Sequence, residues 1–272
     1  MKTRILLFGM ALSLLTIGCN KDDDKTAAPP MTSNEVAESA KMDNISDDIT
    51  QIAEYESNAS ESGRGGSGFF GPCASISTTV SGNIWTRTID FGATNCALWN
   101  GNQVRGKIII TFTDDFAATT RTISYSFDNF YHNDRHVEGN RTVIRTIING
   151  IPTATISLDL TVTTPTGDVY HRVGQKVREF TQGSTTFFNF ADDVFSYTGN
   201  WVTTFPSGNV SSATVTSPVI VQWGCLYITQ GTIVFTRNGG TAVLDYGNGN
   251  CDNQATITIN GTPHNITLGL GW

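Results

Sequence analysis

The sequence predicts an all-β domain, mainly antiparallel and either curved and barrel-like or a sandwich, preceded by one amphipathic helix. Three observations carry this. From residue 72 onward apolar residues alternate with polar ones, as in Ile123, Tyr125 and Phe127, in Ile156, Leu158, Leu160 and Val162, and in Ile266, Leu268, Leu270 and Trp272, the period of half-buried strands. Turn chemistry punctuates these runs at Asp114-Asp115, Asp128-Asn129, Asn149-Gly150, Pro165-Thr166-Gly167, Pro206-Ser207-Gly208, Asn238-Gly239-Gly240 and Asn260-Gly261, a spacing that calls for ten or more strands. Ahead of them, Met42, Ile45, Ile49 and Ile52 recur every three or four residues, which is a helical period.

The predicted helix spans 34–56, with Ser33-Asn34-Glu35 as its capped, acidic start and a possible break near Asp43-Asn44. Its apolar stripe should dock on the sheet. A Gly/Ser linker, 57–71, follows and includes Gly65-Gly66-Ser67-Gly68. The β domain occupies 72–272. With 272 residues, 39% of them hydrophobic, the chain can bury one substantial core, so one main domain is expected.

An internal echo suggests a diverged duplication. Ile89-Asp90-Phe91-Gly92-Ala93-Thr94-Asn95-Cys96 runs in register with Leu244-Asp245-Tyr246-Gly247-Asn248-Gly249-Asn250-Cys251, and each copy has a cysteine upstream, Cys73 and Cys225. Of the three possible pairings of four cysteines, the echo favours Cys73 with Cys96 and Cys225 with Cys251. Each bridge would staple a two-strand unit. A weaker echo relates 127–131 to 190–195, aromatic residues around an acidic turn.

The amino terminus reads as an export signal, residues 1–18. Lys2 and Arg4 form a basic start, Ile5 to Leu15 an apolar stretch too short to span a bilayer, and Gly18 precedes Cys19. Thr16-Ile17-Gly18-Cys19 resembles the lipobox of bacterial lipoproteins, with Thr16 where Leu is usual. The resemblance implies cleavage before Cys19, lipidation of that cysteine with palmitate-type acyl chains, and attachment to a membrane through the lipid. An ordinary secreted protein is the alternative. Asn20-Lys21-Asp22-Asp23-Asp24-Lys25 then resembles the signal that sends Bacteroidota lipoproteins to the outer face of the outer membrane. A periplasm-facing acidic spacer is the other reading. Residues 19–33 form an acidic tether, since adjacent carboxylates repel one another and anionic headgroups. With the cysteine turns and the Gly106-Lys107-Ile108 strand start, these features are similar to an uncharacterised family of Bacteroidota surface lipoproteins, which implies location and architecture and no mechanism.

Charge excludes one class of partner. Residues 19–68 hold 11 acids and 4 bases, and residues 69–272 hold 13 acids and 11 bases. No nucleic acid is expected to bind, because neither part is basic enough to displace phosphate counterions.

Candidate sites are few. Asp245, Asn248, Asn250 and Asp252 place oxygen atoms together as Ca²⁺ prefers, but the first copy of the echo has Ala93 and Ala97 at two of these places. An Asx-type turn with Gly at positive φ is the competing reading. His132 and His136 have a zinc-protease separation without its Glu, and only a turn at Asn133-Asp134 could bring them together, with His171 as a third candidate; exposed turn histidines are the expectation. Trp99 and Trp201, each beside a turn, could stack on a sugar or a partner's apolar group, or fill the core. No cofactor is expected, as nucleophile elbow, phosphate loop and dinucleotide fingerprint are all missing. Asp114-Asp115 and Asp192-Asp193 point to opposite faces if they lie on strands, whereas Glu138, Asp159 and Glu179 could converge. The closing alternation is similar to that of outer-membrane barrels, yet Arg141, Arg145, Arg172, Lys176 and Arg178 interrupt any lipid-facing belt. The leading expectation is a non-enzymatic surface module binding a glycan or a protein; a surface glycan-active hydrolase is the rival.

Overall fold

A computed structural model describes residues 29–61, 73–98, 100–113, 115, 118–186 and 190–268. Among these residues one α-helix, α1 (Ser33–Glu61), is followed by a single antiparallel sheet. Its fourteen strands are β1 (Ser75–Ser81), β2 (Ile84–Asp90), β3 (Cys96–Ala97), β4 (Gln103–Thr113), β5 (Arg121–His132), β6 (Arg135–Ile148), β7 (Ile151–Thr163), β8 (Val169–Gln182), β9 (Val194–Thr204), β10 (Val210–Gln222), β11 (Ile228–Arg237), β12 (Gly240–Asn248), β13 (Gln254–Ile259) and β14 (Thr262–Thr267). Each strand pairs with the next in sequence, except that the short β3 pairs only with β4, leaving β2 beside β4. The sheet is open: β1 and β14 are its two edges.

The hairpins form where the sequence places them. Asn149-Gly150, Asn238-Gly239 and Asn260-Gly261 all have positive φ, as two-residue loops between twisted strands require. Asp128-Asn129 is different. β5 runs straight through it, and Asn129 (φ 45°) sits in a register shift between Ser126 and Phe130. The expected turn is therefore a bulge, and the weaker echo with 190–195 has no structural counterpart, since Phe190–Asp192 is one turn of 3₁₀ helix.

Opposite that bulge, Gly106 (φ 83°) sits in another register shift. A Cβ there would lie 1.9 Å from the Asn129 carbonyl oxygen. Gly139 (φ 116°) is equally close to the next strand, 2.1 Å from the oxygen of Asp159. Such close approaches let a wide sheet curve.

The curved sheet wraps α1. The helix is capped one residue earlier than expected, where Thr32 Oγ1 accepts the Glu35 N–H (3.2 Å) and Glu35 Oε2 accepts that of Thr32 (2.9 Å), a capping box. No break occurs at Asp43-Asn44, and the helix continues to Glu61, through the first five residues of the expected linker. Met42, Ile45, Ile49 and Ile52 are buried as their period predicts. So are Ser39, Asp43, Ser46, Asp47, Asp48, Thr50 and Glu56. Amphipathicity predicts a solvated opposite face, and this correction follows from topology: a sheet curved around a helix dehydrates both faces.

Candidate functional site

Because α1 is polar on faces that water cannot reach, the sheet supplies the complement. Asp43 Oδ1 accepts hydrogen bonds from Arg172 Nη1 (2.7 Å) and Lys176 Nζ (3.1 Å), both on the inner face of β8. Lys176 also lies 3.6 Å from Asp47, whose carboxyl is pushed up by burial despite that cation. Arg141 of β6 donates to the Ser46 carbonyl (2.6 Å), to Thr50 Oγ1 (2.9 Å) and to Ser46 Oγ. Glu56 Oε2 accepts from Arg87 Nε of β2 (2.6 Å), while Glu38 and Glu35 bind Arg135 and Arg237, each at 2.9 Å.

Aromatic rings on β9 share the load. The Arg172 guanidinium is 5.1 Å from the Trp201 ring centre, Lys176 Nζ is 5.0 Å from it, and Arg178 lies 4.6 Å above Phe195. These cation–π contacts stabilise charges that have lost their water. Trp201, 2% exposed, is thus a core residue. The expectation that it contacts a ligand is corrected: no turn forms at Gly199-Asn200, which lie within β9 and pair with Lys176 and Gln175 of β8, and Trp201 falls on the buried face of that strand. Trp99, its companion candidate, lies outside the described residues, as do Cys19, Asp114, Leu270 and Trp272.

His132 is also interior, against the expectation of an exposed turn histidine. The turn at Asn133-Asp134 does form, with both residues at positive φ. His132 and His136 then fall on different cross-strand pairs, opposite Arg135 and Tyr131 respectively. Neighbouring positions of a strand face opposite ways, so the two do not meet. His132 Nε2 is 2.8 Å from Asp48 Oδ2, and Asn102 and Asn100 donate to the same carboxylate at 2.6 and 2.9 Å. His136 lies tilted against the Tyr131 ring with centres 4.7 Å apart, and His171 pairs with Asp159 at 2.9 Å. Among the described residues, no three His, Cys, Asp or Glu side chains gather as a metal-binding group.

Both disulfides have the pairing that the echo favours, Cys73–Cys96 and Cys225–Cys251. The echo extends to the turns beside them. Asp90 Oδ1 accepts the Gly92 N–H at 2.9 Å and Asp245 Oδ1 accepts that of Gly247 at 2.8 Å; Phe91 and Tyr246 plug the core after each Asp. These are Asx turns. Asp245, Asn248, Asn250 and Asp252 do converge, around an open surface pocket of about 380 Å³. One oxygen of Asp245 and one of Asp252 are already taken by the backbone amides of Gly247 and Gln254.

Of the other acids, Glu138 approaches His136 at 3.5 Å and Asp159 holds His171. Asp193 is the unusual one. Burial and neighbouring Asp192 push its carboxyl up to about 7, against the pull of Arg178. The polar seam inside the sheet has a signal in the sequence that periodicity alone does not decode: Asp43, Asp47 and Asp48 on one helix, and Arg172, Lys176 and Arg178 at alternating positions of one strand.

The fold and this seam define the class: an all-β protein whose open antiparallel sheet encloses its own polar helix. No protein-family model, no curated protein and no solved structure matches the chain.

Proposed function

We propose that the protein is a lipid-anchored, extracytoplasmic interaction module, held by Cys19 at the outer membrane of its cell and displayed at the cell surface, without catalytic activity of its own. One observation carries the binding part of this reading. The concave face of the sheet, where curved β-proteins commonly take a ligand, is filled by α1. The space beside Asp43, Asp47, Lys176 and Trp201 is about 10 Å³, no more than one water needs. Partners are therefore met by the convex face, the rims and the edges, and a glycan or a protein is the class of ligand that such exposed surfaces suit. With Trp201 buried, the polar pocket of Asp245, Asn248, Asn250 and Asp252 becomes the better glycan candidate.

The anchor reading rests on Gly18-Cys19 behind an apolar stretch and on the acidic run Asp22 to Asp24. No helix among the described residues is long and apolar enough to cross a membrane.

Two measurements test the proposal. Polysaccharide arrays incubated with the purified protein are assayed for retention and for released product; retention without product is expected, and product release without added cofactor would establish the rival hydrolase. Metabolic labelling with a fatty acid should mark the wild-type chain and leave Cys19→Ser unmarked. A wild-type chain without label would overturn the anchor.

A further inference from the structure

The two edges of the open sheet are not equivalent, and their difference identifies an interaction surface. β1 is a seven-residue strand without charge, proline or bulge, paired with β2 in unbroken register. Natural edge strands are usually protected by one of those devices, because an unprotected one invites another strand. The other edge, β14, has such a device. Thr262 pairs with Ile259 across the two-residue loop Asn260-Gly261, so Thr262, His264 and Ile266 bond inward and residues 263, 265 and 267 aim their backbone groups outward. Residue 263 is proline. The missing N–H falls on the free side of the strand, where it blocks augmentation and leaves the β13 ladder intact.

The same analysis of β1 gives the opposite result. Ser81 and Ile84 flank the loop Gly82-Asn83, with Gly82 at φ 61°. Ser75, Ser77, Thr79 and Ser81 therefore bond to β2, and Ile76, Thr78 and Val80 direct three N–H and three C=O groups away from the sheet. Among the described residues no backbone bond from elsewhere in the chain reaches those three. Val80 is 54% exposed.

We infer that β1 pairs with β1 of a second copy of this chain, antiparallel about a two-fold axis through Thr78. The strand Ser-Ile-Ser-Thr-Thr-Val-Ser is matched to its own reverse: Ser75 falls opposite Ser81, Ile76 opposite Val80, Ser77 opposite Thr79 and Thr78 opposite itself. In this register every outward N–H and C=O of Ile76, Thr78 and Val80 meets a partner. On the inner face Ile76 covers the exposed Val80 of the other copy, the β-branched cross-strand pair that stabilises sheets. On the outer face hydroxyl residues meet hydroxyl residues, continued by Thr86 and Thr88 of β2, so no like charges oppose each other. A single patch that complements itself gives a closed two-fold dimer, and the proline in β14 stops the sheet from extending into a filament. The contact is shorter than a standard interface, so the dimer grows in with protein concentration. It does not depend on the lipid anchor.

The test uses the full chain with Cys19→Ser, which leaves no free thiol outside the two disulfides. Sedimentation velocity should show a monomer passing to a dimer as concentration rises. Ser77→Cys and Thr79→Cys proteins, mixed and oxidised, should form the mixed 77–79 disulfide roughly tenfold in excess of either homodimer, since only directly opposed residues bring Cβ atoms within about 3.5–4.5 Å. Thr78→Pro, which removes an outward N–H only, should abolish both dimerisation and cross-linking. Val80→Lys, which sets a charge against Ile76 of the other copy, should do the same if Thr78→Pro fails to fold. A monomer at every concentration, cross-linking no faster than from a control thiol at Ser157, or a dimer that persists in the folded Thr78→Pro or Val80→Lys protein would each overturn the inference.

Discussion

Asp43 and Arg172, 129 residues apart in sequence, meet at 2.7 Å with side chains 2% and 0% exposed. Removing one member of a buried pair leaves a charge without compensation and costs about 3–5 kcal/mol. Here Asp43 accepts from two cations, of which Lys176 has Asp47 as a second, more distant acid, so Asp43→Ala should fall within that range. Urea unfolding followed by tryptophan fluorescence checks it. Asp43→Ala, Arg172→Met and Lys176→Met should all destabilise, and the energies should not add, because the three share one network.

Glu56 gives a pH-dependent version of the same argument. Burial pushes its carboxyl up while Arg87 pulls it down. Arg87→Met removes the pull, so the folded-state value rises further above the unfolded one. An acid raised in the folded state contributes stability at low pH and loses it as pH climbs through the folded value. The variant should therefore be less stable than wild type by about 3–5 kcal/mol at pH 8, with the difference shrinking on acidification. Chemical denaturation at several pH values measures it.

The same argument applies to Asp193 in the native protein. Its carboxyl is pushed up from 3.8 to about 7, first by burial and then by Asp192. Below pH 3.8 it is protonated in both states and its stabilising contribution is complete; between 3.8 and about 7 that contribution is lost. Asp193→Asn should melt with wild type at low pH and above it at pH 8, by roughly 2–4 °C for each 1 kcal/mol in a chain of this size. A gap that stays constant with pH would contradict the assignment.

Gly106→Ala tests how the sheet bends. At φ 83° any side chain is strained by about 1–2 kcal/mol, and the new methyl would meet the Asn129 carbonyl. A loss larger than the strain alone is expected. Gly82→Ala shares the positive φ but has no atom within 4 Å, so it should show the strain without the collision.

Each disulfide closes a loop of sequence separation 23 or 26, worth up to about 3.4 and about 3.5 kcal/mol respectively in the chain-entropy model. Cys225→Ser with Cys251→Ser should lower the urea midpoint accordingly. The Asx turn at Asp245 should persist, because it is made by Asp245 and Gly247 alone.

Local pattern determined much of this protein. Period two and the Gly, Asn and Pro turns are short-range signals, so a sheet of ten or more strands, hairpin loops such as Asn149-Gly150, Asn238-Gly239 and Asn260-Gly261, and the all-β class with one helix were legible in the chain. Cysteine pairing was legible as well, because a repeated turn marks each bridge. Asp128-Asn129 misled because a bulge and a turn use the same left-handed residues, and only the neighbouring strand distinguishes them. What tertiary structure alone decided was which side of each element is dry. Trp201, His132 and the acids of α1 lie on or next to polar stretches that look solvated in sequence, yet a curved sheet closing around a helix buries them and makes side chains of distant strands their partners, Arg172 and Lys176 for Asp43 and His132 for Asp48. Edge status came from the same source: β1 and β14 read alike as strands, and only strand order reveals that each has a side with no neighbour.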